Sequence, residues 1–300
     1  MKRNDKLLDQ IRGGLFGVAI GDALGGTTEF RSRAEIRAKH GYLTEIIGGG
    51  VWGLKPGEVT DDTMMTLCVA EGVLDDPAEP MVSIGTRFMD WYMTRPKDIG
   101  NIIRHVFELY EGNWFEAAFL ADLDLGRSGG NGSLMRCLPV ALAFPDWPTV
   151  ERVTRMQSKM THYDESCSEA CVLYNRTAYL LLQGGVTLRQ AIEQSVTGTE
   201  YATSLSDAPP ACEPDGYVVH TLHWVLHHLW TGTSYGDIVQ RAANQGGDSD
   251  TNAAIAGGPA GLYWGYEQLP RRYVDTLLIR DRLRDVSERL YRLRVGRESL

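Results

Sequence analysis

The sequence predicts an all-α protein, and three observations carry that expectation. Apolar residues recur at spacings of three and four along most of the chain, the signature of one buried helix face. No run shows the sustained alternation of a half-buried strand closed by a two-residue Asn-Gly or Asp-Gly turn. Chain breakers gather instead in short clusters, Gly48-Gly49-Gly50, Gly57, Gly129-Gly130, Gly184-Gly185, Ala208-Pro209-Pro210 and Gly246-Gly247, which punctuate the periodic stretches. With 43% hydrophobic and 23% charged residues among 300, the chain has the make-up of a soluble globular protein. No internal repeat or low-complexity linker divides it, so residues 1–300 are expected to form a single domain of roughly ten or more helices joined mainly by short loops.

Taken in order, Leu7, Ile11, Leu15 and Val18 mark the first helix. Residues 13–26 are the most apolar stretch, but Asp22 interrupts them and they are too short to span a bilayer, so no stable membrane insertion is expected. Residues 1–15 mix Lys, Arg and Asp with Leu and lack the apolar core of a signal peptide, which points to the cytoplasm. Residues 63–74 read as a helix with Met64, Leu67, Cys68 and Leu74 inward. Cys171, Tyr174, Ala178 and Leu181 repeat the pattern, as do Val218, Leu222, Val225 and Leu229. A last helical stretch, residues 271–293, carries Leu277, Leu278, Ile279 and Leu283 among many charges. Residues 203–216 are the best candidate for a long surface loop. The five cysteines form no CxxC pair, and they read as reduced, mostly buried thiols.

The net charge of −9 argues against a nucleic-acid surface, which needs a basic stripe to neutralise phosphates. Most of the acids are simply solvated, but two motifs each place a pair of them together, Val59-Thr60-Asp61-Asp62-Thr63 and Gly246-Gly247-Asp248-Ser249-Asp250-Thr251. Each follows a glycine-containing loop, opens an apolar helix and offers two carboxylates and a hydroxyl. Hard divalent cations take oxygen ligands, and a pair of bridged cations needs carboxylates from separate segments. A helix N-terminus holds such ligands rigidly and its dipole favours their ionised form. Neither motif contains imidazole or thiolate, which favours magnesium or manganese over zinc. Plain helix capping explains either motif alone equally well; the occurrence of both in one chain favours a metal site.

Other residues stand beside these motifs. Glu29 is a carboxylate just beyond the glycine-rich end of the first helix. Asp22 lies inside the apolar stretch, and a buried acid needs partners, so a structural hydrogen-bonding role is favoured over one supporting a metal. Residues 129–133, ahead of the apolar run 134–142, can offer backbone N–H groups to an anion, although close helix packing explains the glycines as well. They form neither a P-loop nor a dinucleotide fingerprint. His220, His223 and His227 share a helix face, but an ordinary packed helix is favoured there over a metal site. His162, which follows Thr161 and precedes an acidic helix start, is the better pocket candidate. Pro96 is expected to end a helix and to leave Asp98 at the start of the next. No Gly-x-Ser-x-Gly elbow is present, which weakens a serine-hydrolase reading.

In this order the segments resemble the ADP-ribosylglycohydrolase family. The likeness runs through Ile20-Gly21-Asp22-Ala23-Leu24-Gly25 with Glu29-Phe30, Thr60-Asp61-Asp62-Thr63, Gly130-Asn131-Gly132-Ser133-Leu134-Met135-Arg136, Thr161-His162, and Asn244-Gln245-Gly246-Gly247-Asp248-Ser249-Asp250-Thr251. Ile47-Gly48-Gly49-Gly50, Leu54-Lys55-Pro56-Gly57 and Arg95-Pro96-Lys97-Asp98-Ile99-Gly100-Asn101 are similar to the branch that reactivates dinitrogenase reductase. The resemblance implies a compact multi-helix orthogonal bundle holding two divalent cations, Mn2+ or Mg2+. It implies hydrolysis of the bond between ADP-ribose and an arginine on a modified protein, of which dinitrogenase reductase is one example.

It implies further that Thr60, Asp61, Asp62, Asp248, Asp250 and Thr251 ligate the metals. Glu29 matches an acid beside them, and Asp98 an acid facing the ribose and guanidinium. Asn101, Asn131, Gly132, Ser133, His162 and Tyr217 match positions lining the ADP-ribose pocket. Tyr163-Asp164-Glu165 is more acidic than the family pattern. Such cleavage builds oxocarbenium character at the anomeric carbon, where two cations can clamp hydroxyls and activate water. An acid can protonate the departing nitrogen while a second serves as general base. Other readings are removal of ADP-ribose from serine or from a toxin-modified target, two-metal phosphohydrolysis, and non-catalytic ADP-ribose binding.

Overall fold

The first helix carries Gly13, Gly17, Gly21 and Gly25 at a spacing of four, so one of its faces has no side chains. In the computed structural model, which describes residues 3–296, that face lies directly on the backbone of another helix. A Cβ on Gly17 would fall 2.2 Å from the Gly257 carbonyl oxygen, and one on Gly21 would fall 2.0 Å from that of Ala253. One on Gly25 would meet the Ser249 carbonyl at 2.4 Å and Asp250 Cα at 2.5 Å. Gly257 and Gly261 reciprocate from the other side, so two helices touch backbone to backbone along their length.

Fifteen α-helices form among the described residues. They are α1 (Arg3–Gly25), α2 (Arg33–His40), α3 (Asp61–Asp75), α4 (Met81–Met93), α5 (Asn101–Leu109), α6 (Trp114–Leu125), α7 (Leu138–Ala143), α8 (Trp147–Lys159), α9 (Glu165–Gln183), α10 (Leu188–Val196), α11 (Val218–Thr231), α12 (Tyr235–Ala243), α13 (Ser249–Trp264), α14 (Arg271–Thr276) and α15 (Arg280–Arg294). Three 3-10 turns interrupt the connections. No strand is present among these residues; extended pairing is limited to isolated bridges, Gly49 with Leu54 and Gly130 with Tyr217. The fold class is all-α, as the periodicity predicts.

The α1–α13 pair sits at the centre, with α3, α7, α9, α11, α12 and α15 packed around it. Its apolar faces belong to a buried cluster that includes Ile11, Leu15, Val18, Leu67, Tyr174, Leu222 and Val225. α13 contains Pro259, which has no N–H to give to the carbonyl four residues back, that of Ile255. The buried Tyr174 hydroxyl on α9 fills that vacancy, donating to Ile255 O at 3.0 Å.

Four expectations change. Residues 271–293 form two helices rather than one, because the chain steps out between them to dock on the turn at Gly57: Leu278 N donates to Gly57 O at 3.0 Å and the Leu278 side chain is 63% exposed. Met64 and Leu74 are only partly buried on α3. Residues 131–133 form a 3-10 turn and the helix waits until Leu138. Asp98 does not open a helix: α5 begins at Asn101 with Gly100 as its N-cap, so Asp98 lies in the connecting segment. The cysteines match expectation, with four buried and Cys212 partly exposed, all unbridged.

Replacing Tyr174 by Phe removes the only changed atom from the Pro259 gap and strands a buried carbonyl. The expected cost is about 1–3 kcal/mol in urea denaturation; an unchanged midpoint would show that the contact contributes nothing.

Candidate metal centre

Three helix ends build the site. Because α1 and α13 touch backbone to backbone, the C-terminus of α1 and the N-terminus of α13 are held together, and Asp22 on α1 then fixes α3. The fully buried Asp22 carboxylate accepts hydrogen bonds from Thr60 N and Thr63 N, both at 3.0 Å, and from the Thr63 hydroxyl. It serves as the cap of α3, so the Thr60 side chain makes no capping bond. Asp248, the N-cap of α13, makes none either. The two acidic motifs are therefore not explained as helix caps: their side chains point elsewhere.

They point at each other. Asp62 Oδ2 accepts from Thr60 Oγ1 at 3.3 Å and from Thr251 Oγ1 at 3.2 Å, which ties the first motif to the second. Glu29, Asp98 and Asp250 bring one carboxylate oxygen each within 4.8 Å of one another. Asp61 Oδ2 accepts from Gly100 N at 3.1 Å, which draws the segment carrying Asp98 over the start of α3. Asp248 Oδ2 accepts from Asn131 Nδ2 at 2.6 Å. Glu29, Asp61, Asp62 and Asp250 are buried, while Asp98 and Asp248 are partly exposed.

So many carboxylates repel one another. Burial, with added repulsion from Asp248, raises Glu29 to about 8. Burial also raises Asp61 to about 7, where Asp22 and Asp248 add to the effect, and Asp98 to about 9, where Asp61 and Glu29 do. Asp62, Asp248 and Asp250 are shifted upward first by burial as well. None of the six takes part in an ion pair with Lys, Arg or His among the described residues. Asp62 Oδ1 and Asp250 Oδ1 are buried without any hydrogen-bond partner. Buried anionic oxygens lacking both donors and counter-charges, presented with threonine hydroxyls and no nitrogen or sulfur, fit hard divalent cations.

The glycine segment 129–133 lies beside the acids, held by Asn131 N donating to Gly216 O at 3.0 Å and Val218 N to Gly129 O at 2.9 Å. A Cβ on Gly132 would meet the His162 ring at 3.1 Å, and one on Gly129 would meet the Tyr217 ring at 2.9 Å, so both rings pack directly against the segment. His162 is buried, hydrogen-bonds Thr161 Oγ1 through Nδ1 at 2.8 Å, and is held neutral because burial and Arg136 lower it to about 3. The Ser133 hydroxyl turns inward to Ser158 Oγ at 2.9 Å. Asn101 is exposed at the start of α5, and Tyr217 is exposed at the start of α11. On the other side of the 94–100 segment, a cavity of about 620 Å3 is lined by Thr60, Asp61 and Asp98 together with Met64, Arg95 and Arg282. His220, His223 and His227 have separate surroundings: His220 bonds Asp215, His223 bonds Ser204, and His227 is buried.

The glycine stripe and Trp52, whose indole N–H donates to Glu29 Oε2 at 2.6 Å, were not singled out by sequence reasoning. The repeated spacing of four in α1 could have signalled the stripe; nothing in the sequence links Trp52 to Glu29.

The ADP-ribosylglycohydrolase family profile matches residues 3–299. The chain belongs to this family. It is 32% identical over 270 residues, 90% of each chain, to an ADP-ribosyl-[dinitrogen reductase] glycohydrolase of Rhodospirillum rubrum. It is 28% identical to the ADP-ribosylarginine hydrolase Tri1 of Serratia proteamaculans, over 95% of this chain and 79% of that protein. The ADP-ribosylhydrolase ARH3 of Gallus gallus is 25% identical over 87% of both. A solved structure described as an ADP-ribosylglycohydrolase-related protein complex superposes with a TM-score of 0.82 at 28% identity, covering 96% of this chain and 99% of that one. This chain therefore shares its fold with that solved structure, and no helix among the described residues is long and apolar enough to cross a membrane.

The acid cluster has a consequence for stability. Glu29 and Asp98 have folded-state values raised above those of the unfolded chain, so the protein without metal is destabilised as pH rises through about 8 to 9. After chelation its melting temperature is expected to fall between pH 6 and pH 9, and added Mn2+ should flatten that slope. A metal-free melting temperature that rises over this interval would contradict the repulsion described.

Proposed function

We propose that the protein is a cytoplasmic, single-domain hydrolase that removes ADP-ribose from modified arginine side chains, using two Mn2+ or Mg2+ ions. One observation carries this reading: the two acidic motifs converge with buried, unpartnered carboxylate oxygens, in a chain 32% identical to an ADP-ribosyl-[dinitrogen reductase] glycohydrolase. Thr60, Asp61, Asp62, Asp248, Asp250 and Thr251 would hold the ions. When bound, the ions supply Lewis-acid stabilisation of ribose hydroxyls and make water more acidic.

The remaining chemistry belongs to side chains. Glu29, whose carboxylate lies beside Asp98 and Asp250, serves as general base and takes the proton of the attacking water. Asp98 faces the guanidinium, since a planar cation is best held by a carboxylate. Asn131 orients Asp248 through its 2.6 Å bond. Asn101 and Tyr217, both exposed, receive ADP-ribose at the surface, and its phosphates face the backbone N–H groups of the glycine segment, which includes Gly132 and Ser133 and packs on neutral His162. The physiological partner is an ADP-ribosylated protein such as dinitrogenase reductase.

A second reading, hydrolysis of another linkage such as that to serine, is supported by the likeness to ARH3, an ADP-ribosylhydrolase whose name specifies no arginine. Incubation with arginine-, serine- and phosphate-linked ADP-ribose conjugates, with and without chelator, separates the two. Only the arginine conjugate should be cleaved, chelation should abolish cleavage and Mn2+ restore it; full activity without metal would refute the two-metal reading. Asp61→Ala and Asp248→Ala should fold yet lose turnover, since removing one acid relieves repulsion among the others. Near-wild-type rates in both would reduce the motifs to structure. Asp98→Asn keeps the size of the side chain and should lower arginine-linked kcat by about 100-fold or more with an almost unchanged melting temperature. Unaltered turnover in that variant would remove Asp98 from the chemistry.

A further inference from the structure

Glu29 is held by a residue that lies outside both acidic motifs. Trp52 reaches it across 23 positions of sequence, with indole Nε1 at 2.6 Å from Glu29 Oε2. The loop bearing Trp52 is fixed by its backbone rather than by that bond. Gly49 and Leu54 exchange two hydrogen bonds, at 2.7 and 2.8 Å, and Thr27 Oγ1 donates to Gly48 O at 3.0 Å. Gly50, at φ 70°, sits so close to the end of α1 that a Cβ would fall 2.0 Å from Gly26 O. The donor is thereby set against residues 26–29 before any side chain is placed.

Glu29 needs such a fixture. Its neighbour Phe30 is left-handed at φ 59° and tied through its N–H to Gly247 O at 2.7 Å, so the backbone is clamped while the carboxylate stays on a flexible stem. The charged groups facing it, Asp61, Asp98, Asp248 and Asp250, are all acids; Asp61, Asp98 and Asp248 repel its charged form, and Asp250 hydrogen-bonds to it. The Trp52 ring also meets Phe30 edge-on at 6.5 Å between centroids. An indole N–H donates at every pH and adds no positive charge, so it orients a carboxylate without competing with a divalent cation, as a Lys or Arg would.

We propose that Trp52 is a positioning residue: its indole N–H sets the Glu29 carboxylate against Asp98 and Asp250, so that Glu29 works from one preset orientation. This rests on the reading of Glu29 as a group of the reaction. The role differs from packing in one respect, that Trp52 acts only through Glu29.

A double-mutant cycle of Trp52→Phe and Glu29→Ala isolates that coupling. Trp52→Phe keeps the ring and deletes the donor. With free ADP-ribosyl-arginine, kcat should fall about 10- to 100-fold, as for groups that orient the residues of a metal site, while KM stays within a few-fold. In the Glu29→Ala background, the same substitution should cost nothing further. Mn2+ titration calorimetry on the four proteins repeats the cycle without turnover: Trp52→Phe should weaken Mn2+ binding in the wild-type background and not in Glu29→Ala. Undiminished kcat and Mn2+ affinity in Trp52→Phe, or losses that persist in the double variant, would overturn the proposal. Absence of turnover by the wild type would instead count against the function proposed above, and the calorimetric cycle would then decide Trp52 by itself.

Discussion

The backbone contact between α1 and α13 is the constraint on which the rest depends. Glycines spaced by four on α1 leave no side chain between the helices, so the Ser249 carbonyl and Asp250 Cα lie where a Gly25 Cβ would be. The end of one helix is thereby brought onto the beginning of the other, and that beginning carries Asp248, Asp250 and Thr251. Asp22, one turn earlier on α1, extends the same logic to α3 by accepting the N–H groups of Thr60 and Thr63. A buried acid that caps a neighbouring helix frees the side chains of that helix's own first turn, and Thr60, Asp61 and Asp62 are left to face the second motif.

This placement is electrostatically unfavourable by itself. Six carboxylates share a mostly buried region with no ion-pair partner among the described residues, and burial raises each of them. The bundle tolerates that cost because rigid elements, not the acids, fix the geometry: helix backbones carry the two motifs, and backbone hydrogen bonds carry the Trp52 loop and the Asp98 segment. Strain of this kind is common where function demands a polar arrangement that packing would not choose. The region beside the acids is assembled differently, from a glycine segment that lets the His162 and Tyr217 rings approach its backbone.

Local order explains where sequence reasoning succeeded. The period of three and four gave helices whose inward residues, among them Leu67, Cys171, Tyr174, Leu222 and Val225, are buried as expected. It failed at Leu278, where a contact to Gly57 breaks an otherwise helical pattern, and at Asp98, where the chain stays non-helical up to Gly100 instead of starting a helix after Pro96. Both departures come from partners far away in the chain, which no local pattern contains.

By itself, then, the sequence determined the helix periods, the acids of both motifs and the family likeness, because these are written in residue type and spacing. Only the tertiary structure decided which groups meet. Asp62 joins Thr251 across 189 positions and Trp52 joins Glu29 across 23, while Asp22 becomes the cap of a helix that it does not belong to. Those encounters follow from how closely two glycine-faced helices can approach, a distance set by packing in three dimensions and not by the order of residues along the chain.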